Sequence, residues 1–259
     1  MSRNAAGTPP ELVRRTYVDD PTIPDVIFDE VKKKVWPEFM FHDPVADEYW
    51  KHLRLDFPST NFALKDAAGA IVAVGHAAPL RWEKPLESLP DGGWDAIFVQ
   101  AVTDHRAGRE PNVLTALEAS VLPDRRGTGV SRRVIAEMRA LAMERGFRTL
   151  IAPVRPTLKA RYPLTPMERY VEWKNAEGLP FDPWLRTHAR MKARIVKVAP
   201  ESMRIPGTVA EWEERTGMAF PKSGDFVVPG ALVPVRIDRQ HDRGVYVEPN
   251  VWMAHALEP

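Results

Sequence analysis

The chain has 259 residues, with 36 basic side chains against 35 acidic ones for a formal net charge of +1, and no cysteine. A balance this even gives no field to draw the chain to nucleic acid or a lipid surface, and the missing cysteines exclude disulfides, thiolate metal sites and a cysteine nucleophile. No stretch approaches the ~18 apolar residues of a membrane span or carries the core of a secretion signal, so the expectation is a cytoplasmic monomer or homodimer without a nucleic-acid or membrane partner.

In chain order, residues 1–10 are small and polar and read as a flexible tail, with residues 11–259 forming one domain. Residues 12–18 are extended. Val26, Ile27, Val31 and Val35 recur at helical spacing and predict a helix over 23–35, and a second helix over 44–55 starts at Pro44. Two short apolar runs, 61–65 and 70–78, flank the turn 66–69 and predict a hairpin. Ile97, Phe98, Ala101 and Val102 share one face of a helix over 94–105.

Residues 112–122 form a strand that ends at Pro123, residues 125–129 a turn, and residues 130–145 an amphipathic helix stopped by Gly146. A strand over 147–154 follows. The connection 155–182 is long and irregular, with large aromatics at Tyr162, Tyr170, Trp173 and Phe181, and long ordered loops usually serve a site. A helix over 183–193 and a strand over 194–198 come next. Thr208 and Glu211 have capping-box spacing for a short helix to Thr216, and a second hairpin pairs 225–237 with 245–255.

The turn carries the chemistry. A strand that runs through a glycine turn into a helix aims several amides and the positive helix end at one point, which favours an anion. Gly127 and Gly129 let backbone approach a phosphate, and Arg125, Arg126, Arg132 and Arg133 supply guanidinium charge. A solvated surface turn is the plainer reading of the same residues. A dinucleotide fold is disfavoured, since Arg132 stands where its third glycine belongs, and no P-loop Gly-Lys-Ser/Thr occurs.

The run from Val121 to Ser131, Val-Leu-Pro-Asp-Arg-Arg-Gly-Thr-Gly-Val-Ser, resembles the acyl-CoA signature of the GNAT superfamily of N-acyltransferases. Val121, Pro123, Arg126 and Gly129 match that pattern, and Ser131 departs from it at the last position. The blocks 93–150, 182–188, 207–213 and 248–252 are similar to a long bacterial GNAT subgroup found alone or fused to a carbon-nitrogen hydrolase domain. The resemblance implies an α+β fold whose mixed, mostly antiparallel sheet splays at a central parallel strand pair, here 112–122 and 147–154, with flanking helices and a C-terminal hairpin extension. It implies acetyl-CoA or another acyl-CoA as co-substrate, bound by Ala119, Ser120 and Val121 beside the thioester and by Arg125, Arg126, Gly127, Thr128, Gly129, Val130, Ser131 and Arg132 at the pyrophosphate.

The acceptor is then a small-molecule amine, acylated by direct attack while both substrates are bound. Glu118, the acidic residue inside the central strand, is the candidate base for the amine proton, and burial among apolar neighbours raises its pKa toward that task. On the opposite face it would instead be a structural carboxylate paired with an arginine, and a β bulge would flip the parity. The family's usual acid is a tyrosine after the second splayed strand; no standard motif is present, and Tyr162 and Tyr170 are the candidates. Arg155, Lys159, Arg161, Arg169 and Lys174 offer a pocket for an acceptor carboxylate. The histidines form no metal-ligand spacing, so no metal is assigned. Two alternatives use the same fold: a CoA-binding protein without transfer activity, and an enzyme of other acyl-CoA chemistry such as decarboxylation.

Overall fold

The structure, a computed structural model, describes residues 12–258; the tail expected over 1–10 lies outside the described residues. The elements in order are β1 (Val13–Thr16), α1 (Ile23–Ile27), α2 (Lys33–Val35), α3 (Pro44–Tyr49), α4 (His52–Leu55), β2 (Phe62–Lys65), β3 (Ile71–Leu80), α5 (Gly93–Arg106), β4 (Val113–Val121), α6 (Val130–Glu144), β5 (Thr149–Val154), α7 (Met167–Tyr170), α8 (Pro183–Arg190), β6 (Ala193–Gly207), α9 (Val209–Thr216), β7 (Gly224–Phe226), β8 (Val235–Asp238) and β9 (Arg243–Ala256).

The strands form one nine-stranded sheet in the order β1-β2-β3-β4-β5-β9-β8-β7, with β6 added along β9. All pairings are antiparallel except β4 with β5. Neighbouring residues of a strand point to opposite faces. Accordingly, Val113 packs in the cluster that holds Ile97, Phe98 and Val102 of α5, whereas Leu114 packs with Val134, Met138 and Leu141 of α6. The two helices therefore cover opposite faces of the central strands.

Local chemistry fixes the element boundaries. Asp43 accepts from Ala46 N and Pro44 opens α3; Asp182 accepts from the amides of Trp184 and Leu185 at α8; Thr208 and Glu211 complete the expected capping box at α9. Each satisfies amides that a helix start leaves without internal partners.

Four predicted elements differ in the structure. The helix over 23–35 is interrupted by a π turn, Phe28–Lys32, and the helix over 44–55 is divided into α3 and α4. The strand placed at 194–198 runs on to Gly207 because β9 offers a partner along its length, through two register shifts. The strand expected over 225–237 is two short ones, β7 and β8, because Pro229, Gly230 and Pro234 interrupt it. Gly230 has φ 86, and a Cβ there would meet Pro37 Cγ at 2.8 Å, so the chain can pass only as glycine.

Candidate active site

The parallel pairing of β4 and β5 is confined to Leu114 with Leu150 and Thr115 with Ile151. Beyond it β4 stays with β3 as far as Val121, and β5 stays with β9 as far as Val154. The strands thus part, leaving their facing edges unpaired from residues 116 and 152 onward. Thr115 Oγ1, at the vertex, is buried without a hydrogen-bond partner.

Across β3 and β4, His76 faces Glu118 and Ala77 faces Ala116, so Leu117 is an extra residue on β4. This is the bulge that strand alternation could not foresee. It sets Glu118, 6% exposed, against the fully buried His76, whose Nδ1 lies 2.9 Å from Glu118 Oε2. The other ring nitrogen, Nε2, meets the Tyr17 hydroxyl. Glu118 Oε1 accepts from Ser120 Oγ at 2.6 Å and from Trp36 Nε1 at 2.9 Å, and the same indole N–H is 2.9 Å from Ser120 Oγ. Glu118 thus has a histidine partner, and the arginine considered for it at the sequence level is absent from its contacts among the described residues.

The electrostatics reverse the expected direction at Glu118. Burial alone pushes its carboxyl up, but the hydrogen bond and charge of His76, then Lys32 and Ser120, outweigh burial and bring it from 4.5 down to about 2. Lys32 pays the complementary cost: burial pulls its ammonium below its ordinary value, and the Glu118 charge opposes the shift. Lys32 Nζ stands 3.5 Å from the centroid of the Trp50 ring, a cation–π contact.

The turn after β4 has the form expected of it. Gly127 has φ 77 and Gly129 φ 89, and a Cβ added at either would meet nothing within 4 Å. Gly129 is the N-cap of α6 and caps it with no side chain, so the first-turn amides of Val130, Ser131 and Arg132 are left for an outside acceptor. The arginines divide. Arg125 pairs with Asp66 and Asp124, and Arg133 with Glu137, whereas Arg126 and Arg132 have no carboxylate partner among the described residues. Thr128 Oγ1 donates back to Arg125 O at 2.6 Å, which holds the turn closed. Ala119 is partly buried, and Val121 is buried in the same cluster as Val130.

The structure gives Tyr162 and Tyr170 different surroundings for their hydroxyls. They pack together in an aromatic cluster with Trp173 and Phe181. Tyr170 is 1% exposed and its hydroxyl donates to Asp182 Oδ2 at 2.9 Å, so it has no proton free to give. Burial first, then the Asp182 charge, raises that hydroxyl far above its ordinary range. Tyr162 is half-buried, and its hydroxyl has no partner among the described residues.

The basic residues of the long loop are likewise sorted. Lys159 is fully buried and donates to the carbonyls of Tyr162 and Leu232; Arg169 is exposed beside Glu172; Arg161 and Lys174 are exposed. Arg155, just past β5, is different. Its Nε donates to both oxygens of Glu248, at 3.0 and 2.8 Å, its Nη2 donates to Gly230 O at 2.6 Å, and its Cζ lies 5.7 Å from the Trp36 ring centroid. Trp36 therefore bridges the splay, with its N–H on β4 and its face toward the end of β5. Sequence reading missed Lys32, Trp36 and His76 near Glu118, and Tyr17 behind His76, because the strand register, with its bulge, and the chain path before β2 bring them together.

A cavity of about 530 Å³ lies on β6, β8 and β9, lined by Arg204, Val233, Arg236, Arg243 and Val245 among others, and shares no residue with the splay. Among the described residues no three His, Cys, Asp or Glu side chains group to hold a metal ion, and no helix is long and apolar enough to cross a membrane.

No family model matches the chain. It is 34% identical over 279 residues to the arginine N-acetyltransferase avaD of Aspergillus versicolor, an alignment covering 96% of this chain and 95% of that one. Among solved structures, the loading GNATL domain of CurA from Lyngbya majuscula superposes with TM-score 0.60 at 18% identity, covering 95% of this chain and 97% of that one. The GphF GNAT-like decarboxylase in complex with isobutyryl-CoA superposes with TM-score 0.57 at 17% identity, covering 95% and 100%. These two likenesses bear on the fold. Taken with the full-length relationship to an amine acetyltransferase, they establish that the chain belongs to the GNAT superfamily of N-acyltransferases.

Proposed function

We propose that the protein moves an acetyl group from acetyl-CoA to the amine of a small amino acid-like acceptor, with arginine, named for the relative, as the first candidate. The observation that carries this reading is the junction of an open anion turn with a splay that has a buried carboxylate network at its edge. Gly127, Thr128, Gly129 and the first-turn amides of α6 would hold the pyrophosphate, with Arg126 and Arg132 supplying charge that no carboxylate of the described residues already uses. The bound acyl-CoA would supply the thioester. Unpaired β4 backbone near Ala119, Ser120 and Val121 would offer N–H groups to the carbonyl oxygen as it gains charge.

Glu118 orients the acceptor ammonium through its charge, and the proton the amine must lose before attack passes to solvent. A carboxylate held down to about 2 attracts a cation strongly and is a weak base, so Glu118 is assigned the holding of the ammonium and not the removal of its proton. Tyr162 is assigned the donation to the departing thiolate, since Tyr170 has no free proton. Attack is direct with both substrates bound, in keeping with a chain that has no cysteine to carry an acyl group. The test is release of free CoA thiol from acetyl-CoA in the presence of arginine and a panel of other amines, with product mass measured in parallel. Acetylated amine would support the reading; bound acetyl-CoA with no acetylated product across the panel would defeat it.

A further inference from the structure

The splay carries two cations whose hydrogen-bonding capacity the protein leaves open. Lys32 Nζ rests on the Trp50 ring and has no hydrogen-bond acceptor and no salt-bridge partner among the described residues. Arg155 commits Nε and Nη2 to Glu248 and Gly230, and its Nη1 has no acceptor among the described residues. The Arg155 side chain is 19% exposed and its Glu248 partner 0%, so the guanidinium is anchored on a buried carboxylate while part of the side chain stays accessible. An ion pair with Glu248 alone would need neither that opening nor the approach to Trp36.

Both cations neighbour Trp36, Arg155 across its ring and Lys32 through the main chain. Trp36 N donates to Lys32 O at 3.0 Å, one helical turn on, which puts the two side chains on one side of the segment. The Trp36 face is toward Arg155, and its N–H edge is on Glu118 and Ser120. Glu118, a carboxylate suited to an ammonium, thus has on one side Lys32, which feels its charge, and on the other Trp36 with Arg155 against it, two cations suited to a carboxylate. That is the charge pattern of a zwitterionic amino acid, and a simple amine would use only half of it. A guanidinium fixed by Glu248 binds a carboxylate with little further loss of side-chain freedom.

We propose that Lys32 and Arg155 clamp a carboxylate of the acceptor, so that the protein selects amines bearing an acid group near the reacting nitrogen. The inference rests on the acyl-transfer reading above and narrows its acceptor class. It is tested by titrating the CoA-bound protein with L-arginine, argininamide and agmatine, the last two lacking the carboxylate, and measuring each Kd by calorimetry. Arginine is expected to bind at least about tenfold more tightly than either analogue, as for loss of a charge-assisted hydrogen bond. In Lys32→Met, arginine binding is expected to fall by about tenfold while argininamide binding changes less than about twofold. Arg155→Lys, which retains a charge for Glu248, should narrow the same ratio. Equal binding of the three compounds by the unaltered protein, or no binding of any, overturns the clamp. Acetylated product is measured separately: turnover of agmatine as fast as arginine defeats the clamp and leaves acyl transfer standing, whereas arginine bound tightly and never acetylated defeats the transfer reading and leaves the clamp.

Discussion

His76 and Glu118 meet across β3 and β4 beside the extra residue Leu117, with Nδ1 2.9 Å from Oε2. Without the bulge, the register of the pair would shift by one residue and turn Glu118 toward the other face. Glu118→Gln keeps the shape and removes the charge. Turnover is expected to fall by about a hundredfold or more, with acetyl-CoA affinity unchanged. Raising the pH should recover part of the loss, because more of the acceptor amine is then already deprotonated. An equal drop in melting temperature and activity, without recovery, would make Glu118 structural.

Gly129 separates two effects. Gly129→Ala places a Cβ in open space but at φ 89, so a stability cost of about 1–2 kcal/mol is expected from the left-handed backbone alone. Gly129→Glu adds a negative charge at the turn, and acetyl-CoA affinity should fall by at least about tenfold beyond the alanine variant. Calorimetric titration of both variants distinguishes the two contributions; equal affinities would remove the phosphate assignment.

The tyrosines should behave oppositely. Tyr170→Phe loses a buried hydrogen bond to Asp182 and is expected to cost about 1–2 kcal/mol of stability while leaving kcat nearly unchanged. Tyr162→Phe, lacking any hydroxyl contact to lose, should leave the melting temperature in place and lower kcat by about tenfold or more. Chemical denaturation and steady-state kinetics on the pair decide it.

A further prediction concerns pH and stability away from the splay. Asp43 and Asp95 are mainly buried, and burial first, with the neighbouring acids, raises Asp43 to about 6 and Asp95 to about 8 from 3.8. Asp43 Oδ2 and Asp95 Oδ1 have no hydrogen-bond partner with the acids charged. A raised folded-state pKa means that the folded state holds protons the unfolded chain has released. Stability from this pair is therefore complete below about pH 4 and is lost as pH rises through 6 and 8, by at most about 1.4 kcal/mol per pH unit for each proton. Asp95→Asn should raise the melting temperature at pH 9 and change it little at pH 4. A pH-independent effect would show that Asp95 does not hold a proton in the folded state above its ordinary range.

Much of the architecture was legible because its signals are local. The helix after Gly129, the capping box at Thr208 and the stop at Gly146 depend on neighbours in sequence, and the signature from Val121 to Ser131 named the family. The site was legible only in part. Glu118 and Arg155 could be proposed from their places along the chain, but His76 is recognisable as the partner of Glu118 only when the register is known. Lys32 lies in a segment whose periodicity reads as plain helix, Trp36 just beyond it, and the π turn that ends at Lys32 has no sequence mark. Even the sign of the shift at Glu118 depended on those unseen partners, since burial alone points the other way.

β9 pairs with β5 at one end, β8 at the other and β6 along its length, and it carries Glu248, which fixes Arg155. The acceptor contacts proposed on that side of the splay would therefore be built by residues 155–256, while the proposed CoA turn lies between β4 and α6. A lineage could retune the Arg155 side of acceptor recognition by altering residues along β9 and the Gly230 loop without disturbing its donor, and hybrids joined at the end of α6 would be expected to take that side from the C-terminal parent and the Lys32 and Glu118 side from the N-terminal one.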